Sequence, residues 1–408
     1  MEDALRKYAD LALEVGLALA EGDRLIVGAP IDARDFARVL VDRAYQKGAE
    51  NVDVVWDDDA VYRSRFVSGS ERATGAVTEY SRMFAAATET ADCWLRLVAT
   101  DPARTEGARA EDIARFEAAN RAVVKPFREA ALTMGIRWSA IGVPTPAWAS
   151  AVYGDLSPDE AISRLWEALF RVCGIDHEDP IAGWWEHDRH LAERAAALND
   201  WHFASLRYSA PGTDLRVRLP DLHVWEGGAA ESQDGTRFEP NLPTEEVFTA
   251  PHREGVEGTV SATKPLFLQG KLVEGLSFEV RDGAVVSFEA SSGADIVEQT
   301  LATDDGSVRF GEVALVPQSS RVARERLIWK HMLFDENDAC HIAFGLGYPT
   351  SIEGGVEMTL EERTAAGLNT SSVHVDFVVG SDQLDVYGVH ADGSERALLL
   401  AGEWAFDI

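Results

Sequence analysis

Basic residues are scarce in this chain: 38 lysines and arginines stand against 69 aspartates and glutamates in 408 residues, a formal net charge of -31. A surface of that sign repels phosphate backbones and anionic headgroups, so nucleic acid and membrane are excluded as partners. Cysteine is almost absent. Cys93, Cys173 and Cys340 are too few and too scattered for a disulfide framework or a zinc knuckle. No apolar run approaches the ~20 residues that cross a bilayer. The opening Met1-Glu2-Asp3-Ala4 leads into a charged amphipathic pattern, not an apolar signal core. These absences predict a cytoplasmic protein. A glycine-rich phosphate loop is missing too, because Ile26-Val27-Gly28-Ala29-Pro30 lacks the further glycines of a nucleotide fingerprint.

What is present reads as two domains, since 408 residues exceed what one core usually supports. The first part alternates helix and strand. A helical stripe (Leu5, Tyr8, Ala12, Val15, Leu19) precedes a strand at Arg24 to Gly28, a helix at Asp35 to Lys47 and a strand at Asn51 to Trp56. A third strand is expected at Cys93 to Val98, with helices over 76–91, 108–125 and 158–173 and an irregular stretch over 141–146. Strand, helix, strand with short connections predicts a parallel sheet. After a last helix over 189–200 the texture becomes strand-dominated, with turns such as Asp282-Gly283 and Asp392-Gly393. The expectation is an α/β N-terminal domain with a parallel sheet over 1–195 and a strand-rich α+β catalytic domain over 196–408.

The chemistry gathers in the second half. In a strand, residues two apart share a face, so His374 and Asp376 can reach one cation while Val375 packs behind them. His341 lies in an apolar run after Cys340, and Glu246 and Glu312 sit beside strand-like sequence. Five hard-oxygen and imidazole donors without a thiolate suit zinc, cobalt or manganese, with two ions sharing a carboxylate. A water bridging two cations loses its proton near neutral pH and becomes a nucleophile. Tyr348, just past His341, supplies a phenol donor to a developing oxyanion. The histidines at 177, 187 and 190, among acidic neighbours, read as solvated.

Four blocks, in order, resemble the thermophilic aminopeptidase family, the dinuclear metallo-aminopeptidases that include aminopeptidases T and S. They are Thr244-Glu245-Glu246-Val247-Phe248-Thr249, Gly311-Glu312-Val313-Ala314-Leu315-Val316-Pro317, Leu333-Phe334-Asp335-Glu336-Asn337 with Cys340-His341-Ile342-Ala343, and Asn369 to Asp376 with Gly380-Ser381. The resemblance spans essentially the whole chain. It implies metal ligation by Glu246, Glu312, His341, His374 and Asp376, with Tyr348 as the catalytic tyrosine. The family motif selects Glu246 over Glu245 as the ligand, leaving Glu245 as a proton carrier. It further implies two divalent ions, peptide substrates with a free N-terminus, and a homodimer. Two departures stand out: Gln318 to His331 is more basic and bulkier than the family pattern, and Asp338 replaces a smaller residue.

The expected function is a metal-dependent aminopeptidase acting through a metal-bridged hydroxide. Two rivals share the donor set. One is a mononuclear iron(II) ring-cleaving dioxygenase, since two histidines and a carboxylate hold iron with open positions. The other is a catalytically altered peptide-binding protein in which the 318–331 segment blocks turnover.

Overall fold

The computed structural model describes residues 1–99 and 101–407. The chain divides into two compact units, Met1–Glu186 with Ala229–Pro243, and His187–Gly228 with Thr244–Ile408.

The first unit is α/β. Apolar spacing at its start produces a helix over Glu2–Leu11 that widens into a π turn over Ala12–Gly16, burying Tyr8, Leu11, Leu13 and Val15. Strand Arg24–Pro30 pairs in parallel with Asn51–Asp57 on one side and Cys93–Val98 on the other. Cys93–Val98 pairs in parallel with Arg137–Gly142, whose outer edge takes the two-residue strand Asn241–Leu242. Helices Arg34–Gln46, Glu79–Thr88 and Ala110–Leu132 supply crossovers of the length that parallel pairing needs.

Two features differ from the sequence expectation. Ile141 and Gly142 belong to a fourth parallel strand and not to an irregular stretch. A charged residue masks its start: the buried Arg137 guanidinium donates to Asp23 at 2.8 Å and to the carbonyls of Leu17 and Ala18 at 3.2 and 2.7 Å. The helix expected to stop at Lys125 instead runs through Pro126 to Leu132. Ala122 and Pro126 are both exposed, so the carbonyl that loses its donor there meets water.

The second unit is strand-rich. Its larger sheet is antiparallel, in the order Ala284–Glu289, Ser277–Arg281, Val256–Ser261, Thr213–Arg218, Ser205–Ala210, Asp385–Val389, Glu395–Leu400, Glu403–Trp404. The smaller follows the order His374–Val378, His341–Gly345, Phe310–Leu315, Val247–Thr249, Glu226–Gly227, also antiparallel. One hydrophobic core joins the sheets. Phe278 of the larger sheet packs on Phe310, Phe344 and Phe377 of the smaller, with centroid separations of 6.3, 5.8 and 5.2 Å. Each buried ring removes enough apolar area from water to contribute roughly 2–3 kcal/mol. The core therefore fixes one face of the smaller sheet and leaves the other for chemistry.

Candidate metal centre

Alternation along the smaller sheet decides which side chains meet. Val247, Val313, Leu315, Ile342, Phe344, Val375 and Phe377 enter the core. Their alternates (Phe248; Glu312 and Ala314; His341, Ala343 and Gly345; His374 and Asp376) share the opposite face. Glu246, two residues before Phe248, joins them. Across the strands Ala343 stands opposite both Glu312 and Asp376, Gly345 opposite His374, and Ala314 opposite His341. Small residues at 314, 343 and 345 thus leave open space between the long donors.

A bulge adjusts this alignment. The register shifts between Phe310 and Glu312, which makes Gly311 the extra residue. A Cβ at position 311 would fall 2.2 Å from the carbonyl oxygen of Leu346, so only glycine fits. Bulges re-aim the neighbouring side chain, and here the neighbour is Glu312.

All five expected donors come together. Nε2 of His341 lies 2.9 Å from Glu246, 3.4 Å from Glu312 and 4.0 Å from Asp376. Nε2 of His374 lies 3.5 Å from Glu312 and 3.4 Å from Asp376. They form two triads, Glu246–Glu312–His341 and Glu312–His374–Asp376, each with donor atoms within 4.8 Å of one another. Glu312 belongs to both. Each imidazole is oriented by its other nitrogen: Nδ1 of His341 bonds the Ala339 carbonyl at 3.2 Å, and Nδ1 of His374 bonds that of Leu346 at 2.7 Å. A carbonyl only accepts, so Nδ1 carries a proton, and in its neutral form each ring turns an Nε2 lone pair toward the carboxylates.

That arrangement fits a cation. Asp376 Oδ1 is buried without a hydrogen-bond partner, and His341 Nε2 and Glu246 Oε2, 2.9 Å apart, have none outside the cluster, a costly state unless a proton or a cation sits among them. The electrostatics point the same way. Burial opposes charge on His374, but Asp376 and Glu312 outweigh it and hold the imidazole at about 9. His341 is raised well above its ordinary value because Glu246 and Glu312 likewise overcome burial. Glu312 is pushed up to about 7, chiefly by burial. Without a metal, the cluster gathers protons.

Tyr348 stands beside the donors, its ring 5.0 Å from that of His374 and 6.0 Å from Phe248. Burial, then Glu312 and Asp376, raise its phenol well above the ordinary value. Glu245 is placed differently. Its carboxylate lies 3.8 Å from His187 and 3.7 Å from Arg321, and burial pushes it up to about 7. His187 is consequently not solvated: its Nε2 bonds the Thr244 carbonyl at 2.9 Å and burial lowers it to about 3. His177 and His190 are exposed, as expected.

Sequence reading missed Glu336. It lines one small gap together with Asp376, and its carboxyl is raised well above the carboxylate range by burial, then by Asp376 and Glu246. It sits in the short turn Glu336–Asp338, and a run of polar residues ahead of a strand reads as a loop. The buried Asn337 was missed for the same reason; its Oδ1 accepts from the Glu245 amide at 2.7 Å.

A carboxylate–imidazole cluster on one face of the smaller sheet is the donor set of a metal-dependent enzyme. The thermophilic metalloprotease (M29) family model matches residues 1–404, and the chain belongs to that family. Aminopeptidase 2 of Geobacillus stearothermophilus is 43% identical over 411 residues, covering 100% of this chain and 99% of that protein. Aminopeptidase T of Thermus thermophilus is 42% identical over 402 residues, covering 98% of each. The solved structure of wild-type AmpT from Thermus thermophilus matches with a TM-score of 0.92 and 40% identity, over 99% of this chain and 100% of that one. The chain is a metal-dependent aminopeptidase, a hydrolase of peptide bonds that uses divalent metal. Neither the iron(II) dioxygenase nor the inactive peptide-binding protein finds support in these relatives. No helix among the described residues is long and apolar enough to cross a membrane.

Proposed function

We propose that this aminopeptidase works with two divalent ions, zinc, cobalt or manganese. Glu246, Glu312 and His341 hold one, and Glu312, His374 and Asp376 hold the other. The observation that carries this reading is the shared Glu312, with Oε1 toward His341 and Oε2 toward His374. Charge supports it: Glu246, Glu312, Glu336 and Asp376 bring four negative charges, which two divalent ions balance. Glu336 is a sixth donor at this site.

Bound ions supply Lewis acidity, which acidifies water and polarises a carbonyl. The chain's own groups complete the reaction. Tyr348 keeps its proton at neutral pH and donates a hydrogen bond to the oxyanion that develops on the scissile carbonyl. Glu245, at about 7, holds its proton part of the time near neutrality and carries one to the leaving amine. A peptide's free N-terminal ammonium is drawn to a site rich in carboxylates. A homodimer and a cytoplasmic setting belong to the same reading. Three free, buried cysteines support a reducing compartment.

The test is to strip the protein of metal, reconstitute it separately with zinc, cobalt and manganese, and assay a panel of aminoacyl-p-nitroanilides with elemental analysis of the same samples. The expected result is about two ions per chain and hydrolysis lost in Glu312→Gln with an unchanged circular dichroism spectrum. A single ion per fully active chain, or full activity in Glu312→Gln, would overturn the proposal.

A further inference from the structure

The turn that carries Glu336 ends on an acidic residue, Asp338. Asp338 is buried, and its carboxylate pairs with the ammonium of Lys264, whose side chain is 35% exposed against 2% for the aspartate. A carboxylate taken out of water needs such a partner. The pair sits at the end of the turn that carries Glu336.

The turn has further polar anchors, some local and some far apart in sequence. The Asp335 carboxylate accepts from the amides of Trp329 and His331 at 2.7 and 3.0 Å. Asn337 donates from Nδ2 to the Leu333 carbonyl at 2.9 Å while its Oδ1 accepts from the amide of Glu245. The Ser320 hydroxyl lies 3.2 Å from the carbonyls of both Asn337 and Asp338. All of these hold the flanks of Glu336.

Lys264 reaches the turn from elsewhere. Its neighbour Thr263 donates from its amide to the Val378 carbonyl at 2.8 Å and from its hydroxyl to the Gly380 carbonyl at 2.7 Å. The Val378 carbonyl closes the strand that carries His374 and Asp376, and Gly380 lies two residues past its end. The gap lined by Asp335, Glu336 and Asp376 is a cavity of only about 20 Å³, room for one water. Turn and strand therefore lie nearly in contact, and Lys264 ties one to the other.

We propose that Lys264 and Asp338 form a strut that positions Glu336 against the strand bearing His374 and Asp376, and so sets the affinity for one of the two ions. Both are positioning residues, acting through Glu336. The proposal rests on Glu336 being a donor at the site assigned above.

The experiment compares Lys264→Met, Asp338→Asn, the double variant and Glu336→Gln with the parent full-length protein. Metal-stripped samples are titrated with Zn(II) by calorimetry and with Co(II) by visible absorption, which reports donor geometry. Thermal unfolding of the stripped proteins is followed alongside. Each single substitution should weaken one ion by about 10–100-fold, as loss of an outer partner does, and leave the other within about twofold. The double variant should bind no worse than the weaker single, because the two residues act as one unit. A merely structural pair would lower the unfolding midpoint and leave both affinities alone, and that result overturns the strut. Asp338→Asn keeps the side-chain volume and carries the test if Lys264→Met does not fold. Glu336→Gln separates the two levels. If it weakens an ion while the strut variants do not, the strut fails alone; if it binds both ions normally, the donor assignment beneath it fails as well.

Discussion

The carbonyl oxygen of Leu346 accepts from Nδ1 of His374 at 2.7 Å. The same oxygen lies 2.2 Å from where a Cβ at residue 311 would stand, so one backbone atom orients the His374 ring and demands a glycine across the sheet. Gly311→Ala would force that carbonyl away, and backbone yields less readily than a side chain. The expected cost is about 1–3 kcal/mol of stability, the usual range for overpacking. Metal affinity should fall with it, because His374 loses its orienting bond and Glu312 its aim. Denaturant unfolding and metal titration of the variant check both effects. An alanine variant with parent stability and parent affinity would show that the bulge is incidental.

Tyr348 offers a cleaner separation of binding from chemistry. Tyr348→Phe keeps the ring that packs on Phe248 and His374 and removes only the hydroxyl. If the phenol donates to the oxyanion, kcat should fall by about 10²–10³-fold, the usual effect of losing one such donor, with metal content unchanged. Steady-state kinetics with elemental analysis decide it. A drop in KM performance alone would mark Tyr348 as a wall of the substrate site.

Strong periodicity made much of this molecule legible in the sequence. The parallel strands at 24–30, 51–57 and 93–98 carry continuous or alternating apolar residues between helical stripes, and they fold as that pattern requires. The proximity of His374 and Asp376 was legible for the same reason, since a period of two puts them on one face. Glu336 was not. Its position depends on Asn337 and Ser320 fixing a short turn by hydrogen bonds to residues 17 to 92 positions away, and no local pattern encodes such bonds. The segment 229–243 was equally hidden, because a two-residue edge strand, Asn241–Leu242, carries too little sequence to signal its return to the parallel sheet.

Glu226 links the site to pH in the metal-free protein. Burial pushes its carboxyl up to about 7, although the Thr350 and Ser351 hydroxyls pull it down; Glu312 and Glu246 add to the rise. Ser351 donates at 3.0 Å. A folded carboxyl raised in this way keeps a proton that the unfolded chain has already released. Between the ordinary carboxylate value and about 7 the unfolded state binds fewer protons, so stability falls as pH rises through that window. Glu226→Gln removes the ionisable group and keeps an acceptor for the hydroxyl. It should stabilise the metal-free protein at pH 8 by at most about 3 kcal/mol and change little at pH 4. Urea unfolding at the two pH values measures this. Equal destabilisation at both would mean that the hydrogen bond, not the charge, governs the position.

Metal removal tests the convergence itself. The buried carboxylates of Glu246, Glu312 and Asp376 must take up protons, or share those of His341 and His374, when no cation is present. A ligand that binds only the folded state stabilises it by about 2.7 kcal/mol at a hundredfold excess over its dissociation constant. Chelation should therefore lower the thermal midpoint by several degrees and abolish hydrolysis, and micromolar Zn(II), Co(II) or Mn(II) should restore both. Sodium chloride at high concentration should not substitute, because screening acts weakly on buried charges whereas coordination acts on them directly. In Glu312→Gln, which weakens both triads at once, the metal-dependent rise in midpoint should shrink or vanish while the chelated proteins unfold at similar temperatures. A midpoint indifferent to chelation in the parent protein would mean that these side chains neutralise one another by protonation alone, with no cation among them.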